Sequence, residues 1–187
     1  MELDGEFHIA ADRETVWRAL NDPEMLRLAV PGCETLEKVS NTEFTAKVTL
    51  KIGPVKASFK GRVTLGDLDP PNSYRITGEG QGGVAGFARG SAEVTLSEDG
   101  DGTRLRYTAT ATVGGKLAQV GQRLIASASR KLAAEFFIAL GGAIVEAGET
   151  ITVEEVIEPE APAPGLNLWL WVGGVLALVA ALLWTID

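Results

Sequence analysis

Apolar and polar residues alternate along the middle of the chain. The alternation has a period of two over residues 43–52, and it recurs over residues 57–65, 88–96 and 105–113. This period is typical of strands with one buried face, and the Gly, Pro, Asn and Asp residues between these stretches are typical of turns. The pattern predicts a meander of antiparallel strands.

Two short helices are predicted ahead of the meander. A first strand over Leu3–Ala10 leads to Asp12, a residue type that caps helix N-termini, and then to a short helix that carries Trp17. A second short helix over Pro23–Ala29 ends before the turn at Pro31-Gly32.

One long helix is predicted after the meander. Apolar residues recur there at spacings of three and four from Leu117 to Leu140, which is helical spacing. The predicted order is therefore one strand, two short helices, about six strands and one long helix. This order indicates an α+β fold in which a curved antiparallel sheet wraps around the last helix.

The last stretch of the chain is apolar. Residues 166–186 contain no charged residue and are followed by Asp187. A helix of this length rises about 31 Å, which matches the roughly 30 Å hydrocarbon core of a bilayer. Trp169, Trp171 and Trp184 lie near its ends, where interfacial aromatic residues are expected. The sequence predicts one C-terminal transmembrane helix, a tail anchor, at residues 166–186.

Charge is unevenly distributed along the chain. The net charge is −8, but residues 1–141 hold all 17 Lys and Arg and 18 of the 25 Asp and Glu, so this region is nearly neutral and is not typical of nucleic-acid binding. We interpret residues 1–147 as one domain and the acidic, proline-bearing residues 148–165 as a linker. One cysteine and no signal peptide indicate a reducing compartment. The domain is expected to face the cytoplasm from the cell inner membrane.

Small residues occupy many inward positions at one end of the predicted sheet, and the predicted helix adds Gly121 and Ala128. Either the helix backbone packs unusually close to the sheet, or the space is an apolar cavity that holds a ligand. The sequence is compatible with both interpretations. The inward positions are Gly78, Gly80, Gly82, Ala88, Gly90, Ala92, Ala109 and Ala111.

Residues 1–145 resemble a known family in several motifs. The opening strand and Trp-bearing helix, the turn Val30-Pro31-Gly32-Cys33-Glu34, the stretch from Lys47 to Gly61 and the segment GEGQGGVAGFARGSAEVTL are similar to the carbon monoxide dehydrogenase G-subunit (CoxG) family. The resemblance implies a START-like, Bet v 1-like (SRPBCC) helix-grip fold. It also implies an accessory protein that places a molybdenum hydroxylase, above all the aerobic carbon monoxide dehydrogenase, at the membrane.

The resemblance further implies a hydrophobic ligand, because START-like relatives bind such ligands between sheet and helix. A respiratory quinone, menaquinone or ubiquinone, best accounts for an anchor, a cavity and an oxidoreductase partner together. Two other functions stay open: recruitment or maturation of the enzyme without a ligand, and lipid transfer unrelated to any oxidoreductase. The candidate ligand-binding residues are Leu28, Val30, Phe59, Gly82, Phe87, Leu117, Gly121 and Leu124.

A basic surface is predicted on two adjacent strands. Its residues fall on outward positions and are Lys47, Lys51, Lys56, Lys60 and Arg62. Like charges on neighbouring strands reduce stability unless something offsets them. Anionic lipid headgroups or an acidic face of the enzyme would do so, and a solvated sheet face is the alternative.

No residue pattern indicates catalysis. His8 is the one histidine. Cys33 would need a nearby base to act as a nucleophile, and it follows a Pro-Gly turn at no predicted helix N-terminus. The sequence contains no CxxC motif and no His/Cys pair at the spacing of metal ligands. Residues 78–83 match a dinucleotide-binding glycine pattern, but a predicted strand follows them instead of a helix. The protein is predicted not to be an enzyme, with no metal site and no covalently bound cofactor.

Overall fold

The computed structural model describes residues 1–151. The predicted transmembrane helix at residues 166–186 and most of the predicted linker lie outside the described residues. Within residues 1–151, no helix combines the length and the apolar character needed to cross a membrane. The elements are β1 (Glu2–Ile9), α1 (Arg13–Ala19), α2 (Pro23–Ala29), β2 (Cys33–Ser40), β3 (Glu43–Ile52), β4 (Val55–Asp69), β5 (Ser73–Gln81), a 3₁₀ turn (Gly83–Ala85), β6 (Phe87–Asp99), β7 (Gly102–Gly114), α3 (Lys116–Gln119) and α4 (Gln122–Ile151).

The strands form one antiparallel, seven-stranded sheet in the order β1-β7-β6-β5-β4-β3-β2. Strands β2 to β7 follow one another as a meander, and β1 pairs with β7 at the opposite edge. The register places Phe44 opposite Val63 and Tyr74 opposite Val94 on the inner face. The α+β order of elements predicted from the alternation is confirmed.

The two short helices begin at aspartate caps. The backbone amide of Thr15 donates a hydrogen bond to the Asp12 carboxylate at 2.8 Å, and Asp22 caps α2 in the same way. Helices of seven residues are marginal on their own, so tertiary packing must hold them. Val16 and Ala29 provide this packing, because both are buried in the larger of the two clusters of buried side chains described below.

The long C-terminal helix is interrupted near its start. The spacing from Leu117 onward predicts one continuous helix, and this prediction is wrong at Gly121, which separates α3 from α4 with a φ of +94°. Glycine adopts this φ readily, so the chain can change direction there. The 30 residues of α4 span about 45 Å. Helix α4 is described as far as Ile151 and includes the first residues of the predicted linker.

Buried side chains form two clusters. The larger joins α1, α2 and the C-terminal half of α4 to the sheet, and it includes the fully buried Leu105 and Leu140. The smaller joins the β3–β4 hairpin, the 3₁₀ turn, α3 and the start of α4. Its buried members are Ile52, Phe59, Ala85, Leu117 and Ile125. Helix α4 is therefore packed at two places along its length.

We expect Leu140→Ala to lower the free energy of unfolding by about 2–5 kcal/mol, because it removes a fully buried side chain from the larger cluster. Ile138 lies on the same helix and is 74% exposed, so Ile138→Ala is the matched control, with an expected change below about 0.5 kcal/mol. Urea unfolding of the full chain, followed by circular dichroism, measures both. Equal losses would contradict this packing.

Candidate ligand-binding cavity

An apolar cavity of about 380 Å³ lies between the inner face of the sheet and the helices. Pockets for small molecules typically have volumes of about 300–1,000 Å³ and mostly apolar walls, so this cavity suits such a ligand. Its lining residues are Leu20, Leu26, Val30, Leu36, Phe44, Ala46, Val48, Phe59, Gly61, Val63, Leu65, Tyr74, Ile76, Gly80, Val94, Leu105, Phe136 and Phe137.

A row of small residues accounts for this space. Ala46, Gly61, Gly80 and Ala88 lie opposite one another across β3, β4, β5 and β6. A Cβ atom placed on Gly80 would meet only two backbone carbonyl oxygens, both 4.0 Å away, and no atom of α4. Of the two interpretations of the small inward residues, open space therefore applies at Gly80 and close helix packing does not.

The cavity wall carries one side-chain polar group, the hydroxyl of Tyr74. Burial raises the pKa of Tyr74 well above its ordinary value, so the hydroxyl stays neutral. The Tyr74 ring packs edge-on against Trp17, with 5.3 Å between the ring centroids. On α4, the rings of Phe136 and Phe137 pack edge to face, with 4.9 Å between their centroids. The lining offers aromatic and aliphatic contacts and a single neutral donor.

Four of the eight candidate ligand-binding residues lie in or beside the cavity. Val30 and Phe59 line it. Gly82 lies against the Phe59 ring, where a Cβ atom would overlap the ring atoms. The glycine therefore allows the Phe59 ring to occupy its position in the wall. Leu117 is buried with Phe59 in the smaller cluster.

The other four candidates lie elsewhere. Leu28 and Leu124 are 62% and 54% exposed, and Gly121 is exposed in the break between α3 and α4. Phe87 lies on the outer face of β6, opposite Gly114 on β7, with the Arg89 guanidinium 5.9 Å from its ring centroid. None of the four is among the lining residues. Phe87 is out of phase with inward Ala88, and Leu28, Gly121 and Leu124 are exposed.

Most of the lining residues are large, so a search of the sequence for small inward residues does not find them. Phe44, Val63 and Ile76 share the inward phase of the predicted strands, and this alternation is the signal that could have found them. Phe136 and Phe137 lie on the predicted helix, where spacing alone does not separate core packing from a cavity wall.

The basic surface has the register that the sequence predicts. Lys47 lies directly opposite Lys60, and Lys51 lies opposite Lys56. Carboxylates offset part of this repulsion, because Glu34 pairs with Lys47 and Glu43 pairs with Arg62. The hydrogen bond from Lys47 holds the pKa of Glu34 below its ordinary value. Lys51, Lys56 and Lys60 are exposed, and within residues 1–151 they form no ion pair.

The other reactive side chains lie outside the cavity. His8 Nδ1 is 3.3 Å from the Asp99 carboxylate on the surface. The Cys33 thiol donates to the Thr35 carbonyl oxygen at 3.5 Å, and burial raises the pKa of this thiol, which disfavours the reactive thiolate. Among residues 1–151, no group of three or more His, Cys, Asp and Glu side chains is placed to hold a metal ion. The glycine pattern over residues 78–83 leads from β5 through the 3₁₀ turn into β6.

Comparisons with known proteins agree with this architecture. Residues 5–144 match the family described as the G-subunit of carbon monoxide dehydrogenase (CoxG). A conserved protein from Geobacillus kaustophilus is similar at 29% identity, with a TM-score of 0.74 over 79% of this chain and 97% of that chain. Comparison with curated proteins finds no match.

More distant solved structures share the fold alone. The ZhuI aromatase/cyclase from Streptomyces sp. R1128 is 14% identical, with a TM-score of 0.57 over 79% of this chain and 95% of that chain. Ara h 8.0201 is 15% identical, with a TM-score of 0.55 over 78% of this chain and 98% of that chain. The fold is therefore Bet v 1-like.

We expect Gly80→Leu to weaken the binding of menadione, a naphthoquinone without an isoprenoid chain, by about tenfold or more. The new side chain would enter the cavity from the middle of the row of small residues. Trp17 reports binding because it contacts Tyr74 in the wall, so quenching of its fluorescence measures the affinity. All variants carry Phe at positions 169, 171 and 184, which leaves Trp17 as the one tryptophan.

Gly66→Leu is the matched control. Gly66 is exposed on β4 outside the cavity, and a Cβ atom there would meet no atom within 4 Å, so menadione affinity should stay unchanged. If Gly80→Leu binds menadione as the parent chain does, the cavity is not where the probe binds.

Proposed function

Since the chain belongs to the carbon monoxide dehydrogenase G-subunit (CoxG) family, we propose that it is a membrane-anchored accessory protein of a cytoplasmic molybdenum hydroxylase, the aerobic carbon monoxide dehydrogenase. It recruits this enzyme to the cell inner membrane and binds a respiratory quinone, which couples the enzyme's electrons to the respiratory chain. The observation that carries the proposal is an apolar cavity of about 380 Å³ in a domain of this family.

The shape and lining of the cavity support a quinone as the ligand. Menaquinone and ubiquinone combine a flat ring that bears two carbonyl groups with a long apolar chain. Tyr74 and Gly80 both line the cavity and lie six residues apart on β5, which corresponds to about 20 Å along the strand. An elongated cavity of this kind suits a ring followed by part of a chain, and its aromatic walls suit a flat ring.

The apolar segment at residues 166–186 supports the membrane location. Residues 152–165 separate it from α4, and a chain of this length reaches at most roughly 50 Å. The domain would therefore stay close to the bilayer, where respiratory quinones reside. The proposed topology is one single-pass helix with the domain on the cytoplasmic side.

The basic surface supports a docking role. Lys51, Lys56 and Lys60 are exposed on neighbouring strands, and no carboxylate within residues 1–151 pairs with them. An acidic face on the enzyme would relieve the repulsion between Lys51 and Lys56 and would fix its orientation. We assign this surface to the enzyme, and anionic lipid headgroups are the alternative partner.

The chemistry of the cavity supports a role without catalysis. General acid–base catalysis needs groups whose pKa lies near the working pH. Tyr74 is the one titratable residue in the lining, and its pKa is raised. An aromatase/cyclase shares the fold, but this lining has no carboxylate, imidazole or amine that would move a proton.

We expect the triple variant Lys51→Glu, Lys56→Glu and Lys60→Glu to lower the membrane-bound fraction of carbon monoxide dehydrogenase by about tenfold, because it replaces attraction to an acidic face by repulsion. The matched control reverses the same number of charges on exposed positions of α4, at Arg123, Arg130 and Lys131. Fractionation of cells that express each variant measures the enzyme in membranes. Equal retention with both variants would exclude the basic surface as the docking site.

We expect Gly80→Leu to abolish carbon monoxide-dependent quinone reduction in isolated membranes while the enzyme stays membrane-bound. The variant narrows the cavity and leaves the basic surface intact. Retained quinone reduction would contradict ligand binding and favour recruitment alone. If deletion of the whole chain leaves the enzyme on membranes, recruitment is wrong and lipid transfer becomes the better account.

A further inference from the structure

Tyr74 introduces one polar group into a cavity that is otherwise apolar. We propose that the Tyr74 hydroxyl donates a hydrogen bond to a neutral ring carbonyl of the bound ligand, so that the cavity selects a quinone-type ring over hydrocarbon and over fatty acids. The inference rests on the proposed function, because it names the chemistry by which the same cavity recognises its ligand.

The position of Tyr74 is well defined. It lies on β5 opposite Val94, is 5% exposed, and packs edge-on against the Trp17 ring at 5.3 Å. A tyrosine side chain has only two rotatable bonds before the ring, so these contacts also hold the hydroxyl in place. The donor is therefore built into the cavity before any ligand arrives.

Burial is the one cause of the raised pKa of Tyr74, and no hydrogen bond from a group within residues 1–151 contributes to it. Within residues 1–151, Arg13 Nε is the one fully buried side-chain polar atom without a partner, so the Tyr74 oxygen keeps some accessible surface. A hydroxyl among apolar groups still gains free energy from a partner, so an acceptor that reaches this oxygen is expected. Water is a poor candidate, because a buried water needs two to four polar contacts and the lining side chains supply one. An acceptor on a ligand would satisfy the hydroxyl without further polar groups.

The kind of acceptor follows from the charge of the walls. The cavity has no Lys, Arg or His in its lining, so a carboxylate would enter an apolar site without a counter-charge. A neutral carbonyl carries no such cost. Burial also raises the pKa of Tyr74, so the hydroxyl stays protonated and donates across the physiological pH range.

The same geometry orients the ligand. Tyr74 lies at the end of the cavity formed by the larger cluster, together with Leu65 and Val94. Phe59, at the other end, belongs to the smaller cluster. The ring carbonyl would bind at the Tyr74 end, and the apolar chain would extend past Gly80 towards Phe59.

The test measures the binding of two probes to Tyr74→Phe and to its parent, the full chain that retains Trp17 as its one tryptophan. Menadione offers ring carbonyls, and methylnaphthalene offers a similar ring without them. We expect Tyr74→Phe to weaken menadione binding by about tenfold and to leave methylnaphthalene binding unchanged, because only the donor is lost. Tyr107→Phe is the matched control, since Tyr107 is the other tyrosine and does not line the cavity; it should change neither affinity.

A vibrational measurement separates hydrogen bonding from a structural effect. The carbonyl stretch of bound menadione should lie at lower frequency in the parent chain than in Tyr74→Phe. Equal menadione affinity and equal carbonyl frequency in the two chains would overturn the role of Tyr74 while leaving ligand binding intact. If neither probe binds the parent chain, the proposed function fails together with the inference.

Discussion

One long helix has to cover the inner face of a seven-stranded sheet that is much wider than the helix, and this difference in width determines how the core packs. Seven strands about 4.8 Å apart extend about 29 Å, whereas a helix is about 10 Å wide. Curvature of the sheet and the two short helices close part of the gap. The apolar side chains gather into two clusters along α4, and the space between the layers remains as the cavity.

The row of small residues on β3 to β6 keeps this space open. Larger side chains at Gly61 and Gly80 would fill the region that α4 does not reach. The core would then be packed without a cavity. The chain instead places one neutral hydroxyl, that of Tyr74, into the apolar wall. On the proposed function, a domain with such a cavity, joined to an apolar C-terminal segment, would give a membrane-derived ligand a place beside a cytoplasmic enzyme.

The strands and short helices were predictable because local rules specify them. The period of two identified the inward face at Phe44 and Val63, and Asp12 marked the start of α1. The break at Gly121 was not predictable, since helical spacing of apolar residues continues across it and does not report φ. The cavity wall was predictable only in part: Val30 and Phe59 were identified, but whether large residues such as Phe136 fill a space or surround it depends on the distance between layers.

If the cavity holds a respiratory quinone, as we propose, the protein should retain this quinone on purification. The full chain would be purified from a host that makes quinones, and its organic extract would be analysed by mass spectrometry against the amount of protein. We expect menaquinone or ubiquinone at close to one molecule per chain. An extract that holds only phospholipid or fatty acid, or no apolar molecule from a protein that also fails to take up added quinone, would contradict this proposal.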